Sequence, residues 1–147
     1  MSTIPPTDGD YSIDVVAEKD AVKAALEDWI TAVEGKDMVL LPNTVAHETD
    51  LVWIGAGAND WLVGWTALEQ AMQAQNAALD DIRITVSDEM IHFSQDERLA
   101  WATSRWDFSS TMGGQPLAFP LRCTWILEKR EAGWVIVHFH KSVGMSG

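Results

Sequence analysis

The sequence predicts a single α+β domain, with helices in its first half and a meandering sheet in its second, and three observations carry that expectation. Apolar residues recur at helical spacing between Val22 and Val33. Ile82, Ile84 and Val86 alternate with Arg83, Thr85 and Ser87, as in a strand with one buried face. Three longer strand-like runs follow, punctuated by short polar or glycine-bearing turns. At 147 residues the chain is long enough for one packed core and too short for two ordinary domains.

Met1 to Tyr11 contain Pro5, Pro6 and Gly9 without periodicity, so residues 1–13 read as a tail and 14–147 as the domain. Val22, Ala25, Leu26, Trp29, Ile30 and Val33 form the stripe of a first helix, which Gly35 stops. Asp37 opens a brief second helix that Pro42 limits. Leu51 to Gly55 reads as a strand. The stretch from Gly55 to Gly64 is rich in turn formers yet carries Trp61, so it ends a strand or folds back as a lid. Thr66 and Glu69 match a capping box ahead of Leu68, Ala71, Met72 and Leu79, which marks a third helix. After Val86, Asp88 and Glu89 interrupt the alternation before Met90 to Phe93, the pattern of a bulge. Leu99 to Ser109, Leu117 to Lys129 and Trp134 to Ser142 complete the meander, the last two joined through Glu131, Ala132 and Gly133.

The formal net charge is −12, which lacks the basic footprint needed to hold phosphate backbones or anionic lipid, so neither nucleic acid nor a membrane is an expected partner. No basic segment followed by an apolar run is seen near Met1, and a cytoplasmic location is expected. The single cysteine, Cys123, sits in a strand-like run and reads as a small buried hydrophobe. Tryptophan occurs 8 times and tyrosine once, at Tyr11, which favours large apolar surfaces over phenolic chemistry.

Alternation splits the last three strands into two faces. One collects Ala100, Ala102, Ser104, Trp106 and Phe108 with Leu121, Cys123, Trp125, Leu127, Val135, Val137 and Phe139. The other collects Trp101, Thr103, Arg105, Asp107, Arg122, Thr124, Ile126, Glu128, Trp134, His138, His140 and Ser142. The first set should face the helices, and its small residues opposite aromatics leave room for a cavity unless helix side chains fill it. The second set is polar but rich in tryptophan, the composition of a surface buried against another subunit.

The run Leu121-Arg122-Cys123-Thr124-Trp125-Ile126-Leu127-Glu128-Lys129, then Gly133-Trp134-Val135-Ile136-Val137-His138-Phe139-His140-Lys141-Ser142, resembles the end of SnoaL-like domains of the nuclear transport factor 2-like superfamily. It is also similar to the association domain of calcium/calmodulin-dependent kinase. Trp53-Ile54-Gly55 and Gly64 fit the same pattern, and the resemblance spans roughly Ala17 to Ser142. It implies a ketosteroid isomerase-like fold, a cone-shaped curved mixed sheet wrapped around three helices. It implies a pocket as well, used in that superfamily by isomerases, cyclases, dehydratases and epoxide hydrolases and by non-catalytic binding or assembly domains.

Three functional readings follow. The first is a binding domain for a small apolar organic ligand, with Ser104, Trp106, Cys123, Trp125 and Phe139 lining the cone and Trp53 and Trp61 closing it. Arg122 or His140 supplies polar recognition if the face assignment is reversed. The second is an acid–base enzyme whose candidates are His47, Asp50, Asp60, Asp107 and His140. Arg105-Trp106-Asp107 reproduces half of the epoxide hydrolase pattern, while Tyr11 alone cannot furnish the phenolic donor of the steroid isomerase pattern. The third is an oligomerisation module in which Arg122, Thr124, His140 and Ser142 fix sheet register and a dimer contact. His138 and His140 share a strand face, but a third ligand from His92, His47 or a carboxylate is not fixed by spacing, so no metal site is assigned. No cofactor is expected, and a homodimer through the sheet is.

Overall fold

The computed structural model describes residues 13–145. The tail expected over residues 1–13 therefore lies outside the described residues, except that Ile13 already opens the first helix. Helix α1 (Ile13–Glu34) buries Val22, Leu26, Trp29 and Val33, steps of four, three and four residues that make one stripe. It ends at Gly35 and Lys36, where φ turns positive at 53°. The Asp37 carboxylate then accepts the amides of Val39 at 3.0 Å and Leu40 at 2.9 Å, starting the turn into α2 (Leu41–Thr44).

Two short strands follow, β1 (Val52–Ile54) and β2 (Trp61–Val63), paired antiparallel as a hairpin. Trp61 thus sits in a strand and not in a lid. Helix α3 (Trp65–Ala78) begins one residue before Thr66, with Gly64 at the N-cap and no side-chain cap bond. The expected capping box is therefore absent. Gly64 has φ 87° and ψ 167°, a conformation open to glycine, and a Cβ there would meet the Thr49 carbonyl oxygen at 2.9 Å. The chain needs that sharp corner more than it needs a hydroxyl cap.

The remaining strands are β3 (Asp80–Phe93), β4 (Leu99–Met112), β5 (Gln115–Arg130) and β6 (Gly133–Ser142). The sheet order is β2-β1-β6-β5-β4-β3, antiparallel throughout except for the β1–β6 pair, in which Trp53 aligns with Phe139. This is a mixed, curved and open sheet wrapped around helices, the fold class the sequence predicts. Register shifts at Asp80/Arg83 and Ser87/Met90 bend β3, with Asp81 and Asp88 both at φ 53°. Pro116 and Pro120 are tolerated in β5 because β6 pairs only from Arg122 onward, leaving that end of β5 bonded on one side. Gly113 and Gly114, both with positive φ, make the β4–β5 turn.

One register shift corrects the face assignment. β6 pairs regularly from Ser142 to His138, but Ile126 and Leu127 of β5 then face His138 and Ile136, so Val137 is an extra residue. Beyond that bulge the alternation inverts. Trp134 and Ile136 turn toward the helices and are buried, with Trp134 against the edge of Phe93 at 5.7 Å. Val135 takes the outer position that simple alternation gives to Trp134.

Candidate functional site

The space between the helices and the open end of the sheet forms a cavity of about 380 Å³, within the range that holds small organic ligands. Val33 of α1 and Met72, Gln75 and Leu79 from α3 and its C-terminal end form one side. Trp106 and Phe108 of β4 and Phe119 and Leu121 of β5 form the other. Gly55, Ala56, Gly57 and Asp60 from the β1–β2 loop, with Lys141 and Val143, close the ring. Apolar groups dominate this wall. Asp60 and Lys141 are its two titratable side chains.

Asp60 is placed by its own loop. Its carboxylate accepts the Gly57 amide at 2.8 Å, and the Gly55 amide donates to the Asp60 carbonyl at 2.9 Å. A Cβ at Gly57 would lie 2.6 Å from the carboxylate oxygen, and one at Gly55 would lie 2.8 Å from the Asp60 Cβ. Both glycines are needed for close approach, which explains why the loop is rich in them.

Lys141 follows Phe139 on the helix-facing side of β6 and pairs with Cys123 of β5. Its ammonium nitrogen lies 4.4 Å from the ring centroid of Phe139, 4.8 Å from Trp106, 5.3 Å from Trp125 and 5.4 Å from Trp29. Each ring face attracts a cation, by roughly 0.5–2 kcal/mol depending on desolvation. Among the described residues Lys141 makes no salt bridge, whereas Lys36 pairs with Asp80 and Lys129 with Glu18. Burial pushes the Lys141 amine down to about 8, a trend that Cys123 and Asp60 partly oppose. Burial also pushes the neighbouring Cys123 thiol up, to about 11, so at neutral pH it is an inert apolar group.

The residues singled out in the sequence separate into distinct places. Trp106 and Asp60 stand on the cavity wall. Trp125 and Phe139 lie behind Lys141, joined to Trp29 and Trp53 by ring centroid separations of 5.3 to 5.8 Å. Ser104 and Cys123 pair across β4 and β5, buried on the helix-facing side and off the cavity wall. Trp61 is 66 % exposed on the β2 edge. His47 is exposed, stacked on Trp65 at 4.4 Å, with its Nε2 2.8 Å from the Pro42 carbonyl oxygen. Asp50 is exposed in the turn before β1.

Asp107 and His140 belong to the outer face, beside Pro120 and Thr124 respectively. Arg105 pairs with Asp88 of β3 at 3.4 Å and not with Asp107. His138 Nδ1 lies 2.6 Å from the Val52 carbonyl oxygen, a bond that joins β6 to β1. Arg122 Nε donates to Ser142 Oγ at 3.1 Å, and Thr124 faces His140 across the strands. These groups border a second depression, of about 370 Å³, on the outer face. Among the described residues no three His, Cys, Asp or Glu side chains come together as a metal site.

Lys141 is the titratable pocket residue that sequence reasoning missed. Its signal was present: strict alternation carried one step beyond Phe139 puts it on the apolar face, opposite Cys123. A lysine in a run ending in polar residues reads more easily as solvated.

An open mixed sheet curled around three helices, with an apolar cavity at its mouth, is the architecture of the nuclear transport factor 2-like superfamily. Within it the chain belongs to the SnoaL-like family, whose domain model matches residues 22–146. No curated protein matches the chain in sequence. Among solved structures it is similar to a nuclear transport factor 2-like superfamily protein of Salmonella enterica serovar Typhimurium, at 17 % identity and a TM-score of 0.80 over 90 % of this chain and 94 % of that one. It is similar to a hexachlorocyclohexane dehydrochlorinase of Novosphingobium barchaimii at 12 % identity, with a TM-score of 0.75 over 90 % of each chain. A protein of Xanthomonas campestris, provisionally named a calcium/calmodulin-dependent protein kinase II association domain, aligns with a TM-score of 0.73 at 17 % identity over 100 % of this chain and 99 % of that one. At these identities the likeness is one of fold.

Proposed function

We propose that this protein binds a small, largely apolar organic molecule in the cone, with the polar group of that ligand directed at Lys141. The observation that carries the reading is the cavity itself: about 380 Å³, walled by Trp106, Phe108, Phe119, Leu121 and Met72, with a lone amine inside. A domain serving assembly alone would need no such space. The outer face, with Trp101 39 % and Met90 58 % exposed beside the Arg122–Ser142 pair, supports a homodimer through the sheet. Acid–base chemistry is the second reading, favoured by Asp60 and Lys141 on one wall. Of the carboxylates and imidazoles weighed from sequence, Asp60 is the one on that wall.

Calorimetric titration with indole, a neutral apolar molecule, tests the pocket. One site with a dissociation constant on the order of 0.1–1 mM is expected for a ligand of that size. Leu121→Trp, which fills the cavity, should abolish the heat. A crystal structure of protein purified without added ligand, with the cone closed by its own side chains, would defeat the reading.

A further inference from the structure

We propose that Lys141 is a nucleophile that captures a carbonyl compound, an aldehyde or ketone with an apolar body, as a Schiff base inside the cone. The proposal rests on the pocket reading above and names the ligand class. Four features of the geometry point to it. The nitrogen reaches the cavity wall from a strand, a rigid element, two residues after a buried phenylalanine. No salt bridge occupies it among the described residues, and no arginine lines the cavity to make a two-pronged site for a carboxylate. Four rings surround it at 4.4 to 5.4 Å, and their faces stabilise positive charge on that nitrogen in an ammonium and in an iminium ion alike. The fourth feature is Asp60, the one carboxylate on the same wall, available to carry protons.

In the step itself the neutral amine donates its lone pair to the carbonyl carbon. The carbonyl π pair moves to oxygen, which takes a proton. The hydroxyl of the resulting carbinolamine then leaves as water with a second proton, and nitrogen and carbon share the new double bond. Counted from the ammonium, one carbonyl compound is consumed, one water is released and one proton stays on the iminium nitrogen. An apolar wall favours loss of that water. Burial supplies the other requirement, a useful fraction of neutral amine near neutral pH, as for other lysines activated in hydrophobic pockets. The groups that oppose this are the Asp60 carboxylate on the β1–β2 loop and, only as a thiolate at high pH, Cys123 on β5.

The test is reductive trapping with benzaldehyde and sodium cyanoborohydride, read by intact mass and peptide mapping. Lys19, Lys23, Lys36 and Lys129 serve as internal controls in the same chain. A single benzyl group on Lys141, formed about tenfold faster than on any other lysine and faster at pH 8.5 than at pH 6.5, is the expected result. Lys141→Arg and Lys141→Met should lose it while retaining native circular dichroism. Labelling spread evenly over the lysines, with indole still bound, would overturn the nucleophile and leave the pocket standing. Failure to bind indole at all would remove both. Binding of benzoate that depends on Lys141, without trapping, would also overturn the proposal, because the amine would then act as an ammonium anchor.

Discussion

At the scale of single residues, Lys141 is where stability and chemistry conflict. Removing an ammonium from water costs free energy, and burial lowers its amine value accordingly. Lys141→Met keeps a flexible apolar stem and removes the charge, so at pH 7 it should raise stability by about 1–2 kcal/mol. That corresponds to a rise of a few degrees in melting temperature. The sign of the pH dependence is fixed by the direction of the shift. Between about 8, where the folded protein loses the proton, and 10.5, where the unfolded chain does, the unfolded state binds more protons. Wild-type stability attributable to this group therefore increases with pH across that window, and the advantage of the methionine variant shrinks. Thermal melts of both proteins at pH 7 and pH 9.5 check it. A methionine variant less stable at pH 7 would mean that the cation–π contacts outweigh desolvation.

At the scale of elements, the pocket depends on two places where the backbone departs from regularity. One is the Val137 bulge in β6, which inverts the alternation so that Trp134 and Ile136 close the core on one side of it while Phe139 and Lys141 face the helices on the other. Periodicity located the strand correctly but assigned its first half to the wrong faces, since an inserted residue leaves no compositional mark in Trp-Val-Ile-Val-His. The other is Gly64 at the β2–α3 corner. Gly64→Ala forces an alanine into a glycine conformation and against the Thr49 carbonyl, and should cost about 2–4 kcal/mol. Gly113→Ala, also at positive φ but with nothing within 4 Å of the added Cβ, should cost about 1 kcal/mol. Urea denaturation of the pair separates the steric clash from the dihedral preference. In the β1–β2 loop, Gly57→Ala displaces the Asp60 carboxylate and should slow the trapping of benzaldehyde without moving the melting temperature by more than a few degrees.

At the scale of the whole molecule, the sheet has two faces with different tasks. The helix-facing side holds the core and the cavity. The outer side carries the Arg122–Ser142 bond, exposed Met90, and Trp101 stacked with His92 at 5.6 Å. A chain with a net charge of −12 repels its own copies at long range, so the proposed homodimer would have to be driven by short-range apolar burial. Trp101→Glu places another negative charge at the centre of that patch. In sedimentation equilibrium at micromolar concentration it should convert the proposed dimer into a monomer while leaving indole binding intact. A wild-type protein that sediments as a monomer would overturn the dimer. Among the described residues no helix is long and apolar enough to cross a membrane.

The sequence by itself determined the order of the elements other than the short strand β2, the curvature of the sheet and the family. Those follow from local signals: a 3.6-residue stripe in α1, alternation in β3 to β5, the Asp88-Glu89 interruption, and a C-terminal motif that occupies one strand pair. The tertiary structure alone decided which candidates meet. His47, Asp50, Asp107 and His140 are each the right residue type for acid–base work, yet Asp107 and His140 are turned outward by the strand faces they occupy, and His47 and Asp50 are held in the exposed segment before β1. Asp60 and Lys141 are 81 positions apart in the numbering, and the antiparallel β1–β2 hairpin beside a parallel β1–β6 pair brings them to one wall. Contact between distant segments depends on register and on a single bulge, and those are settled by packing.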